Sequence, residues 1–176
     1  MLESLITSQT RLKLLLKFFL NSDTTAYLRG LEAEFKESTN AIRVELNRFE
    51  GAGLLTSNWE QNKKVYAANK QHPLFSNIHD ILLKHVGIDR IIKDVISKLG
   101  KVERAWLVGE MAAGKNSKAI EIVIVGNEID EEYLEKLLKK AEALINRKVL
   151  ISTFKVEDED SLLKKANNSL LLWKTN

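Results

Sequence analysis

The stretch GEMAAGKN, at Gly109–Asn116, is one residue short of a phosphate-binding loop. Such a loop reads G-x-x-x-x-G-K-[ST]. Gly109, Gly114 and Lys115 fall in register, but Asn116 stands where a hydroxyl should hold magnesium. The motif also needs a strand before it and a helix after it, because the helix N-terminus supplies dipole and amides to the phosphate. The short apolar run Arg104–Val108 reads as the strand. After Lys115, however, comes NSKAIEIVIVG, which returns as another strand, so the context excludes a phosphate loop of this kind. Lys115 and Lys118 leave a basic loop that either draws an anionic ligand or is merely solvated.

A second set of chemically suited residues lies in Thr39–Gly51. With Ile42, Leu46 and Phe49 inward, the outward positions are Thr39, Asn40, Arg43, Asn47 and Val44. Short amides and an arginine bond base edges and phosphates in a DNA major groove, though a solvated helix face has the same look. Glu45 and Glu50 lie at the flank and end of this helix. Lys63 and Lys64 suit phosphate contact, which gives affinity without sequence information. His72, His79 and His85 are not expected to bind a metal: His79 and His85 are six apart on different sides of a helix, and no cysteine assists. Trp106 and Trp173 sit among apolar neighbours and read as core. Trp59 is either a hairpin packing residue or a backbone contact.

These residues need elements to position them. Leu12, Leu15, Leu16 and Phe19 give Arg11–Leu20 the spacing of a buried helical face. A second helix is expected at about Thr25–Phe35, with Leu28, Leu31 and Phe35 on one side. A third opens at the N-cap Ser38 and stops at Gly51-Ala52-Gly53. Leu54–Ser57 and Val65–Ala68 read as short strands around a polar turn, Asn58–Lys64. Residues 73–100 hold the single proline, Pro73, and two helical stretches. Ile78, Ile81, Leu82 and His85 share a face of the first; Ile88, Ile91, Ile92, Val95, Ile96 and Leu99 line the second. From Lys101 the period changes. Arg104–Val108, Ile120–Val125 and Lys148–Phe154 read as strands. Asp130–Ile145 is an amphipathic helix with Leu134, Leu137, Leu138, Ala141 and Leu144 inward, and Asp158–Ala166 is a further helix.

The chain has 176 residues, 44% hydrophobic and 29% charged, with a net charge of +3. That is enough for one domain or two small ones with real cores. No apolar run approaches the roughly 20 residues of a membrane helix, and the first 20 residues lack a signal-peptide pattern. With no cysteine, disulfides, thiolate metal sites and thiol catalysis are excluded. An intracellular, cytoplasmic protein is expected. The modest positive charge permits nucleic-acid binding without demanding it.

Three helices followed by a hairpin is the order of a winged helix-turn-helix. The stretch TNAIRVELNRFEGAGLLTSNWEQNKKVYAAN resembles the recognition helix and wing of ArsR-like bacterial and archaeal regulators. These carry a V-x-x-x-L-x-x-L-x-x-x-G-L-[LV] spine, which Ile42, Leu46, Phe49, Gly53, Leu54 and Leu55 fit. The resemblance implies a DNA-binding domain over residues 1–72. Connecting helices over 73–100 in such regulators often form a dimer contact, although packing on their own domain would serve the pattern as well.

The later half is similar to minimal nucleotidyltransferases, in which a strand leads into G-S-x-A-R-G and a following strand carries D-x-D. Gly109 matches the first glycine, Ala112 the alanine and Gly114 the last glycine; Glu121-Ile122-Val123 falls at D-x-D. In that family the serine and glycine hold phosphates, and the aspartates bind the metals of phosphoryl transfer. Here Glu110 replaces the serine, Ala113 the arginine and Val123 the second aspartate, and KVLISTF offers no third acid in its middle. The expectation is an α+β protein: a winged helix-turn-helix, connecting helices, and a small α/β nucleotidyltransferase-like domain over 101–176 that is catalytically inactive. No cofactor or metal is expected. The partners implied are double-stranded DNA, a second copy of the chain, and a small-molecule or protein ligand of the C-terminal domain. The alternatives are an active nucleotidyltransferase targeted by its winged helix, and an adaptor in which both domains have lost their ligands.

Overall fold

The computed structural model describes residues 2–166 and 168–175. The chain divides into two compact units, residues 1–85 and 86–176. The division falls within the 73–100 segment, so the first connecting helix belongs almost wholly to the first unit and the second helix to the second unit.

In the first unit, helix α1 (Gln9–Leu15) is capped by the Ser8 hydroxyl, which accepts from the Arg11 amide. It runs on as a π-helical turn, Leu16–Leu20, in which every residue is buried. The wider turn changes the inward set: Leu14 and Phe18 are fully buried, whereas Leu15 is only half-buried. Residues 25–27 are not helical. Thr25–Tyr27 forms strand β1, and helix α2 (Leu28–Phe35) starts only after it. The extended backbone there is satisfied by antiparallel pairing with residues 65–67. Helix α3 (Thr39–Gly51) begins at the Ser38 cap, whose hydroxyl accepts from the Ala41 amide. Strands β2 (Leu55–Glu60) and β3 (Lys63–Ala68) form a hairpin, and the sheet order is β1-β3-β2. The expected seven-residue turn shrinks to Gln61-Asn62. Both have positive φ, the two-residue geometry that matches strand twist. Helix α4 (Phe75–Val86) follows; Leu82 is buried but Ile81 is exposed.

The core of this unit is built from Leu12, Phe18, Phe19, Leu31, Ile42, Leu46 and Leu55. A charged cluster sits beside it. Glu45 was expected at the solvent flank of its helix, yet it is buried, at 5% exposure. Its carboxylate accepts from Arg11 Nε at 2.9 Å and Nη2 at 3.2 Å, from the Ser8 hydroxyl at 3.2 Å and from Arg48 Nη1 at 3.1 Å. The residue is inward because α1 supplies these donors; a helical wheel of α3 alone cannot show them.

The second unit places helix α5 (Ile88–Asp94) before a four-stranded sheet of order β6-β5-β4-β7. Strands β4 (Val102–Val108) and β5 (Ala119–Gly126) are antiparallel, joined through a single helical turn α6 (Gly109–Ala112). Helix α7 (Glu131–Ile145) crosses over to β6 (Lys148–Phe154), which lies parallel to β5. The Asp130 carboxylate caps α7 by accepting from the Tyr133 amide at 2.9 Å. Helix α8 (Glu159–Lys165) then leads to β7 (Ser169–Lys174), antiparallel to β4. No strand was expected at β7, and Leu144 was expected inward but is 60% exposed. At the end of α7 it is Ile145 that turns inward, against Gly87, where a Cβ would fall 2.8 Å from the isoleucine.

Burial pushes the Glu45 carboxyl up, but hydrogen bonds and charge from Arg11, with help from Ser8 and Arg48, outweigh it and hold it below the ordinary value of 4.5. A carboxylate with a lowered native pKa stabilises the fold above its ordinary value and loses that contribution as pH falls through the lowered one. Glu45→Gln should therefore cost roughly 1–3 kcal/mol at neutral pH in urea unfolding. The gap to wild type should close as pH drops below 4.5 toward the lowered native value. A gap independent of pH would refute the assignment.

Candidate nucleic-acid interface and the glycine loop

On α3, Asn40, Arg43, Val44 and Asn47 are exposed, and Thr39 is half-buried at the first turn. The 100° step per residue turns Asn40, Arg43, Val44 and Asn47 away from Ile42, Leu46 and Phe49, which are buried, and leaves Thr39 nearer the buried side. Arg43 and Asn47 line a groove of about 550 Å³ whose other wall is the hairpin, with Trp59, Lys63 and Lys64, and whose end holds Tyr27 and Arg29. Tyr27 and Arg29 carried no signal in the sequence, because their position depends on where β1 ends and α2 begins. Trp59 is 73% exposed and directly opposite Lys64 in the ladder. It is no core residue, and its place opposite Lys64 suits cross-strand packing on the hairpin as well as contact with a backbone.

The two lysines differ. Lys63 is exposed, with its ammonium 4.7 Å from the centre of the Tyr27 ring. Lys64 is half-buried and donates to Glu50 at 2.7 Å. Glu50 also accepts from the Ser57 hydroxyl at 2.6 Å. Hydrogen bonds from Lys64 and then Ser57 hold the Glu50 carboxyl below its usual range, and the same contact raises the Lys64 ammonium.

In the second unit, Gly109 and Gly114 both take positive φ, +71° and +78°. The loop between them folds on itself. The amides of Ala113, Gly114 and Lys115 donate to the carbonyls of Gly109 or Glu110, Met111 and Glu110 in turn. Those three amides are therefore committed to the turn. Lys115 lies 3.6 Å from Glu110, an exposed pair. Lys118 is exposed at the mouth of β5.

Glu121 is half-buried behind the loop. A Cβ on Gly109 would fall 2.4 Å from its Oε1, so the end of the Glu121 side chain would have to move aside, and the positive φ itself favours glycine. Along the sheet face of Glu121, no residue paired with it or with Val123 is an acid. Val108 pairs with Glu121 and Trp106 with Val123 on one side, Leu150 and Ser152 on the other. Val123 is 5% exposed. Farther along, Glu159 reaches in from α8 and is consumed structurally: it accepts from Arg104 Nε at 2.7 Å and Trp106 Nε1 at 2.8 Å. Trp106 is thus a half-buried donor to a carboxylate as well as a packing residue.

Among the described residues, no group of three His, Cys, Asp or Glu is placed to hold a metal ion. The histidines serve local contacts. His72 Nδ1 accepts from the Leu74 amide, His79 Nδ1 bonds the Phe19 carbonyl at 2.7 Å, and His85 lies 3.4 Å from Glu3. No helix among the described residues is long and apolar enough to cross a membrane.

No family model matches the chain. No curated protein matches it either. Among solved structures, reduced HlyU from Vibrio cholerae is 18% identical over 47% of this chain and 82% of its own, with a TM-score of 0.37. A Sulfolobus solfataricus protein, provisionally assigned as a nucleotidyltransferase, is 18% identical over 56% of this chain and 87% of its own, at 0.38. A mutant form of the toxin–antitoxin pair MntA–HpeT is 18% identical over 51% and 73%, at 0.40. Likeness of this degree spans about half of the chain at a time, and the functional reading rests on the residues described above.

Gly109→Ala should destabilise the second unit by roughly 2–3 kcal/mol, from positive φ and the collision with Glu121. Adding Glu121→Ala should return only the collision's share. Thermal unfolding of the single and double variants reads both parts; a double variant as stable as wild type would show that the backbone there is unstrained.

Proposed function

We propose that the chain is a transcriptional regulator that binds double-stranded DNA as a homodimer in the cytoplasm, and that its second unit is a catalytically silent nucleotidyltransferase-like domain used to sense a small molecule or contact a protein. The observation that carries the first part is the groove between α3 and the hairpin. It gathers Arg29, Arg43, Lys63 and Asn47 with an exposed tryptophan and an exposed tyrosine. A helix enters a major groove about 12 Å wide, where an arginine and a short amide read base edges while flanking cations meet phosphates. The uncovered Leu74 and Ile81 give a second copy an apolar patch to cover.

The second part rests on the carboxylates. A site for two divalent ions needs several acids to offset their charge. Glu121 has Val123, Leu150 and Ser152 for neighbours, and Glu159 is spent on Arg104 and Trp106. Glu110 would repel a triphosphate at the place where the related family has a donor. The retained Gly109 turn with Glu121 behind it is the one observation that favours an active nucleotidyltransferase instead.

Selection from random duplexes should return a two-part site, with half-sites about one helical turn apart if the protein is a homodimer. On that site, Lys63→Ala should weaken selected and random DNA alike and lower the salt slope by about one unit. Arg43→Ala should instead erode discrimination, by roughly 1–3 kcal/mol at one base position. Equal effects of both on every duplex would refute the roles, and absence of salt-dependent binding would leave the adaptor reading.

Incubation with labelled nucleoside triphosphates and a divalent metal should transfer no label. Transfer that disappears in Glu121→Ala would establish the enzyme instead.

A further inference from the structure

We propose that Glu50 is a positioning residue for DNA discrimination: it struts the β2–β3 hairpin against the end of α3 and withholds Lys64 from the DNA backbone. Its role in discrimination rests on the DNA-binding reading above; its role as a strut does not.

The geometry is a three-point tie. Glu50 lies in the last turn of α3, Ser57 on β2 and Lys64 on β3, so one carboxylate grips both strands of the hairpin, at 2.6 and 2.7 Å. Ser57 pairs with Tyr66 and Trp59 with Lys64, which puts all four side chains on the same face of the hairpin as Glu50. The Lys64 ammonium also lies 5.2 Å from the centre of the Tyr66 ring. Beyond Ser57 the hairpin has no such anchor in the core: residues 58–63 are all exposed. This tie acts together with the β1–β3 pairing and the buried Leu55 and Tyr66 to set the angle between hairpin and α3. That angle decides whether Trp59 and Lys63 reach the backbone while Arg43 and Asn47 reach base edges. The charges matter as well. A bare carboxylate at this edge would repel phosphate, and a bare Lys64 would attract it at every sequence alike. Paired, they add little to either.

The test uses the full chain and three variants, Glu50→Ala, Glu50→Gln and Lys64→Met. Hydrogen exchange of residues 55–68 is measured without DNA, and binding to a selected and a random duplex is measured over a range of salt. Glu50→Ala should speed exchange in the hairpin roughly threefold or more, with the thermal midpoint of the unit nearly unchanged. It should weaken the selected duplex about tenfold, hold or strengthen the random one, and steepen the salt slope by about one unit as Lys64 becomes free. Glu50→Gln still accepts from Ser57, so it should keep slow exchange yet show the steeper slope. Lys64→Met should speed exchange with no steeper slope.

Wild-type exchange in Glu50→Ala would overturn the strut. Faster exchange together with equal tightening of both duplexes would reduce Glu50 to a repulsive charge and overturn positioning. If the wild-type protein binds no duplex at all, the DNA reading fails, and the exchange rates alone decide whether Glu50 is a strut.

Discussion

Under the DNA-binding reading proposed above, helix α3 approaches a polyanion and has to do something with its own acids. Helix α3 carries two, Glu45 and Glu50, and neither is left bare. Glu45 is turned into the protein and surrounded by Arg11, Ser8 and Arg48. Glu50 is held by Lys64 and Ser57 at the other end. Much of the first unit follows from those two arrangements. The first ties α3 to α1 beside the apolar face of Ile42, Leu46 and Phe49, which turns Arg43 and Asn47 outward. The second fixes the hairpin against α3. Each acid serves as a fastener because its carboxylate accepts charge-assisted hydrogen bonds from side chains of other elements.

The second unit applies similar logic to a different end. Its glycine loop keeps a left-handed start at Gly109, with the Glu121 carboxylate directly behind it. The loop's amides turn inward to its own carbonyls, and the sheet face beyond is filled by Val123, Trp106 and the Glu159 cluster. The turn is thus satisfied by its own hydrogen bonds and packing, with glycine at each left-handed position.

The helices were largely legible in the sequence, because a 3.6-residue period and a cap are local signals. Ser38 and Gly51-Ala52-Gly53 bound α3 to within a residue, and its outward set was legible with it. What escaped were features made by partners distant along the chain. Thr25–Tyr27 is extended only because residues 65–67 pair with it, and that pairing carries Tyr27 and Arg29 to the groove. The run Ser169–Lys174 alternates too weakly to announce a strand until β4 offers an edge. Glu45 read as a surface residue because its partners lie on another helix. Lys63 and Lys64 read as equivalent because their different partners, Tyr27 and Glu50, come from opposite sides. At Gly109 the glycine was legible, but the carboxylate pressing on it was not.

The sheet order of the second unit also constrains how it is made. Strand β4 is an inner strand, flanked by β5 and β7, yet β7 lies some sixty residues farther along the chain. During synthesis β4 and β5 can pair early, and α7 can close over to β6. One edge of β4 must then wait, with its amides and carbonyls unsatisfied, until Ser169–Lys174 arrives. Pairings so distant in sequence form slowly, and an open edge is where a chain can join the wrong neighbour. The first unit contains none of these residues, and its sheet closes by Ala68. The first unit can thus close on itself while the second keeps an open edge on β4 until Ser169–Lys174 pairs with it.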